Sequence, residues 1–188
     1  MLMLATGLTL FTVVHLLLGA APAAAGGLQR KIGASGRKGL VALVSLGGMV
    51  LVVMGWRSAE VYGLYATPAA LRIPALLLIT ISIYLFVVAN RPSAIKRFLR
   101  HPQLTGLFLW SVAHLALNGD NRSVMLFGWL GTWAVVEIVL INRRDGPWDR
   151  APAPPLATDL VTAVVAVVVL YALAWAHPWI AGVRVIPG

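Results

Sequence analysis

Apolar runs long enough to cross the hydrocarbon of a bilayer recur along almost the whole of this 188-residue chain, and that recurrence leaves few folds open. The runs lie near Leu2–Ala20, Gly39–Trp56, Ala70–Ala89, Leu104–Leu117, Val124–Ile141 and Leu160–Ala176. Backbone in lipid must satisfy its own N–H and C=O groups, so only helices and closed barrels span. Continuous apolar runs of this length, without polar alternation, read as helices. Composition agrees, because 60% hydrophobic and 11% charged residues cannot supply a water-facing surface. The expectation is an all-α, polytopic membrane helical bundle of about six transmembrane helices, with residues 1–188 forming a single membrane domain. The fourth run is the shortest, and Pro102, a good first-turn residue, extends it backwards towards Arg100 and His101.

Fifteen basic residues against six acids give a formal charge of +9. In a soluble chain that balance would raise nucleic acid as a partner. Here the cations gather between apolar runs, so the lipid bilayer is the partner instead. Arg30, Lys31, Arg37 and Lys38 follow the first run, Arg91, Lys96, Arg97 and Arg100 the third, and Arg143, Arg144 and Arg150 the fifth. The intervening loops are sparser. Basic loops stay on the cytoplasmic side, which predicts both termini on the opposite face, N-out and C-out. The first run, followed by Ala20-Ala21-Pro22-Ala23-Ala24-Ala25, has the outline of a secretion signal. Its positive charges follow the apolar stretch rather than precede it, so it reads as a retained helix. The absence of cysteine excludes disulfides, thiolate metal sites and cysteine nucleophiles.

Polar residues inside the apolar sequence are the candidates for chemistry. His15 is the sole titratable side chain of the first run, and His114 shares one side of the fourth helix with Trp110 and Asn118 at i, i+4, i+8 spacing. An ionisable side chain in hydrocarbon is costly and turns to the bundle interior. Two such histidines on different helices suit a haem held through imidazole; a hydrogen bond from each ring to a nearby carbonyl would equally account for them. Helical rise from the basic side sets His15 about 9 Å deep and His114 about 18 Å deep. His101, shallower, is a third imidazole that could replace either. Arg100 and His101 suit an anionic group such as a propionate or a phosphate, or else anchor and begin the fourth helix. Glu137 is open between pairing with Arg143 or His114 and facing a polar seam. Asn118-Gly119-Asp120 has turn and helix-cap chemistry, Thr158 or Asp159 suits the cap of the last helix, and His177 with Trp175 and Trp179 suits an interfacial aromatic belt.

From Phe11 to about Gly146 the chain resembles the NnrU family of bacterial membrane proteins. The matching residues are Phe11-Thr12-Val13-Val14-His15, Lys38-Gly39-Leu40-Val41-Ala42-Leu43-Val44-Ser45-Leu46, Arg100-His101-Pro102, Ala113-His114-Leu115, Asn118-Gly119-Asp120 and Leu126-Phe127-Gly128. The run at about 160–176 is then an additional C-terminal helix. The resemblance implies a multi-pass protein of the bacterial inner membrane, associated with denitrification and nitrogen oxide metabolism. It reaches also to the plastid 15-cis-zeta-carotene isomerase, a membrane haem b enzyme. Carried over residue by residue, that implies His15 and His114 as haem-binding residues, and a haem-dependent cis–trans isomerase acting on an apolar small-molecule substrate as one activity. The long N-terminal region of that isomerase has no counterpart here.

Two readings of other classes stand beside it. Arg100-His101-Pro102 followed by Gly106 resembles the S-adenosylmethionine site of membrane methyltransferases, although those carry adjacent glutamates where this chain has Glu137 alone. A non-enzymatic accessory membrane subunit is the other. The topology is tested by an alkaline phosphatase fusion at Gly188, which is expected to be active; an inactive fusion, with an active reporter in one of the basic loops, would invert it.

Overall fold

The computed structural model describes residues 1–150 and 152–185; Ala151 and residues 186–188, including the fusion point Gly188, lie outside the described residues. The chain forms helices α1 (Leu2–Ala20), α2 (Pro22–Ser58), α3 (Arg72–Ala89), α4 (Pro102–Leu117), α5 (Asn121–Asp145) and α6 (Leu156–Ala181). Short 3-10 turns at Ala69–Leu71 and Ala94–Arg97 punctuate the loops. The all-α bundle read from the apolar runs is therefore present, and each expected run lies within a helix. Gly26–Ser58, Ala69–Ala89, Asn121–Asp145 and Leu156–Ala181 are long and apolar enough to cross a membrane. At 19 and 16 residues, α1 and α4 are the short members of the bundle.

The basic stretch after α1 is not an open loop. Pro22 starts a helix that runs on to Ser58 and is broken only at Gly33, where φ is 74°. A side chain at that left-handed φ would be strained, so glycine sets where the exposed Arg30–Lys31 turn bends into the spanning part of α2. Helix continuity here was hidden by composition, since Gly, Ala and Ser carry little apolar signal.

Neighbouring helices close a circuit in the order α1, α2, α6, α3, α4, α5 and back to α1. The tightest crossing is α1 on α2. A Cβ added at Gly7 would meet the Gly48 carbonyl oxygen at 2.6 Å, and one at Gly48 would meet the Gly7 carbonyl oxygen at 2.9 Å. One at Gly55 would run into the backbone of Leu4. Lipid tails give helices no hydrophobic reason to associate, so close backbone approach through small residues supplies the contact. Beyond it, Leu4, Leu8, Val52, Trp56, Leu126 and Phe127 form a buried cluster joining α1, α2 and α5. Trp56 belongs to that core, its indole N–H donating to the Ala181 carbonyl across 3.1 Å.

Polar contacts fasten the other neighbours. Buried Ser82 of α3 donates to the Gly106 carbonyl of α4 at 2.7 Å. Neither Thr158 nor Asp159 caps α6: Pro155 occupies that position, and the Asp159 carboxylate instead accepts from the Ser93 hydroxyl at 2.5 Å and the Ala94 amide at 3.2 Å. Arg91 reaches the fully buried Thr162 of α6 at 3.2 Å. The remaining surface of α6, including Val164, Val168 and Tyr171, is exposed and apolar, as a lipid-facing helix requires.

Gly47 and Gly48 are sequence neighbours with opposite surroundings, since a Cβ at Gly47 meets nothing within 4 Å. Gly48→Ala is expected to destabilise the bundle by about 1–3 kcal/mol, the usual cost of overpacking, seen as a lower unfolding midpoint in detergent. Gly47→Ala should leave the midpoint near the parent's; equal midpoints for the two would remove the crossing as a determinant of stability.

Candidate functional site

Helix α5 is the wall on which the polar and aromatic residues of α1 and α4 converge. On the α4 side, the His114 ring stacks on Phe127 with centroids 4.5 Å apart and leans on Trp110 at 4.6 Å. On the α1 side, the His15 ring meets Trp133 edge to face at 5.6 Å and Phe11 at 4.7 Å. Trp129 of α5 donates to the Thr12 hydroxyl at 3.2 Å, fixing the rotation of α1 against it.

Both imidazoles are oriented in the same way. His15 Nδ1 lies 2.7 Å from the Phe11 carbonyl oxygen, and His114 Nδ1 lies 2.9 Å from the Trp110 carbonyl oxygen, each one turn back on its own helix. A carbonyl can only accept, so Nδ1 carries the proton and Nε2 presents its lone pair. Neither Nε2 has a hydrogen-bond partner among the described residues. This is the arrangement in which a metal-ligating histidine is held by its second nitrogen.

The two rings sit against different levels of α5. Phe127 and Trp133 are separated by about 9 Å of helical rise along α5. Each imidazole, through its unbonded Nε2, would suit a haem iron from its own level of α5. Among the described residues no group of three or more His, Asp or Glu side chains could hold a bare metal ion.

Arg100 and His101 are brought to α5 rather than to either histidine. Arg100 donates to the Gly146 carbonyl at 2.7 Å, and His101 Nε2 lies 2.9 Å from the Asn142 side-chain oxygen. They join the start of α4 to the end of α5, with Pro102 in the first turn as expected. His177 is held at the end of α6, its Nδ1 2.8 Å from the Val183 carbonyl oxygen.

Glu137 pairs with neither Arg143 nor His114. It is 7% exposed, and its Oε2 has no hydrogen-bond partner among the described residues. It lies one turn beyond Trp133, whose indole N–H is likewise buried and unpartnered among the described residues. The single-acid signal in the sequence pointed to Glu137 alone. Trp133 was passed over, because an unpaired indole N–H is visible only once its surroundings are known.

At the opposite end of the bundle, Asn118-Gly119-Asp120 is a structural joint. The Leu64 amide donates to the Gly119 carbonyl at 2.7 Å, and a Cβ at Gly119 would collide with the Tyr65 carbonyl. Asp120 caps α5, accepting from the Ser123 amide at 3.0 Å and the Ser123 hydroxyl at 2.7 Å. Asn121 holds the loop through the Tyr62 amide at 3.2 Å and the Glu60 carbonyl at 3.0 Å. The Tyr65 hydroxyl donates to the Leu115 and Asn118 carbonyls; burial, then the charge of Asp120, pushes this phenol above its ordinary range. Asp120→Ala is expected to cost about 1 kcal/mol through the lost cap, lowering the unfolding midpoint in detergent, with Asp120→Ser recovering part of it. An unchanged midpoint for Asp120→Ala would mean that the cap is dispensable.

Comparison with curated proteins and with solved structures finds no match for this chain. The family model described as NnrU protein matches residues 3–185, so the match extends through α6 and beyond the stretch in which the motifs lie. With its membrane-crossing helices and that match over nearly its entire length, the chain belongs to the NnrU family of membrane proteins.

Proposed function

We propose that this protein resides in the bacterial inner membrane and holds haem b through the Nε2 of one intramembrane histidine, His15 or His114. The observation that carries this reading is the shared orientation of the two rings, each with Nδ1 on an own-helix carbonyl and Nε2 unpartnered among the described residues. An imidazole held in this way cannot turn its lone pair away without breaking its hydrogen bond, so the ligand is pre-positioned. Aromatic and aliphatic neighbours at both positions give the low-polarity setting that tunes a bound haem.

When bound, such a group supplies redox chemistry towards nitrogen oxides or the redox-neutral cis–trans isomerisation of a polyene, the two uses implied by the family resemblance. This chain's own residues position the ligand and exclude water. Phe11 and Trp133 wall His15, while His114 packs in a three-ring cluster with Trp110 and Phe127, whose own centroids are 4.8 Å apart. An apolar groove between α1 and α2, lined by Leu10, Val44, Gly47 and Leu51, is the surface a hydrophobic substrate would use. Arg100 and His101, both bonded to α5, serve in this reading as anchors rather than ligands.

The test is the absorption spectrum of detergent-purified protein, expressed with haem supplementation, oxidised and dithionite-reduced. A Soret band with sharpened reduced bands is expected, lost in one of His15→Ala and His114→Ala and retained in the other. Loss in both would require the two rings to converge on one iron by rearrangement of the bundle and would overturn the single-ligand assignment. A spectrum without a Soret band in the parent would end the haem reading altogether.

A further inference from the structure

Trp133 and Glu137 leave a donor and an acceptor unpaired on successive turns of one face of α5. Both side chains are more than nine-tenths buried, at 8% and 7% exposure. The indole Nε1–H and the carboxyl Oε2 are each without a partner among the described residues. In hydrocarbon no bulk water compensates such groups, so each calls for a partner from outside the chain. On the α1 side the same face is closed by Phe11, 5.5 Å from the Trp133 ring, and by His15. His15 is half-buried, so the α1 border of this face is the part of it nearest the surface of the bundle.

The partner must accept from the indole, exchange a hydrogen bond with a carboxyl group, and arrive by way of the membrane. A quinone carbonyl accepts from the indole N–H and from a protonated carboxyl; the corresponding quinol hydroxyl accepts from the indole and donates to a carboxylate. The Phe11 and His15 rings on the α1 side offer aromatic contacts to a planar headgroup. A lipid ammonium has only donors and leaves the indole unpaired, and a lipid phosphate has only acceptors and sits badly beside a carboxylate. We propose that the face of α5 carrying Trp133 and Glu137, bounded by Phe11 and His15 of α1, is a binding site for the headgroup of a lipid-soluble quinone or quinol.

This assignment stands with haem on His114 or with none, because neither Trp133 nor Glu137 is offered as an iron ligand; haem on His15 would compete for the same face, so binding is measured on protein expressed without added haem. The experiment is equilibrium binding of decylubiquinone and, under reducing conditions, decylubiquinol to the full-length protein in detergent, with 1-decanol as the control for a bare hydroxyl on an apolar chain. The parent is expected to bind the quinone pair and to bind decanol at least tenfold more weakly. Trp133→Phe and Glu137→Gln are each expected to weaken quinol binding about tenfold, one hydrogen bond's worth, while keeping the parent's helical circular dichroism and monodisperse elution. Glu137→Gln retains an acceptor oxygen and adds a donor, so it should spare quinone more than quinol, a split that loss of packing would not produce. Binding no stronger than that of decanol, or equal binding by parent and both variants, would overturn the site and leave an internal water as the partner of these groups.

Discussion

Where α1 crosses α2 the backbones touch through Gly7 and Gly48, and Gly55 lies directly on Leu4. That closeness sets the position of every other residue on α1. Leu4 and Leu8 drop into the cluster with Trp56 and Phe127, and two turns further along His15 comes to Trp133. In a membrane the association rests on dispersion and backbone proximity rather than on the exclusion of water. A methyl group at the crossing would therefore shift α1 bodily, and with it the only titratable group it carries.

Helix α5 then acts as a common wall. It is capped by Asp120, fastened at its far end by Arg100 and His101, and faced along its length by α1 and α4. Rigid attachment at both ends explains how one helix can present Phe127, Trp133 and Glu137 to different neighbours at fixed heights. The clustering of the family's motif residues at these fastenings has a physical reason. Arg100-His101-Pro102 and Asn118-Gly119-Asp120 fix the two ends of the α4–α5 pair, where helix termini expose backbone groups that need partners.

The apolar runs identified all six helices because crossing a bilayer demands length and hydrophobicity that few other structures share. Pro102 as the start of α4, the turn at Asn118-Gly119-Asp120 and the candidacy of His15 and His114 were equally legible, since each depends on local chemistry. The continuity of α2 through its basic stretch was not, because residues 22–39 carry too little hydrophobic periodicity to declare a helix. Asp159 was read as a cap and proved to be a clamp on Ser93, a partner 66 positions away that no local pattern reveals.

By itself the sequence determined that this is an all-helical membrane protein, where its helices lie and which histidines are unusual, since these follow from transfer free energies and local backbone chemistry. Only the tertiary structure decided that His15 meets Trp133 and His114 meets Phe127 on α5, that Arg100 and His101 are engaged with its end, and that Trp133 joins Glu137 as an unpaired polar group. Those are statements about distances between helices. They are set by how far glycine lets two backbones approach and by the rotation of each helix about its axis, neither of which is encoded in the spacing of residues along one of them.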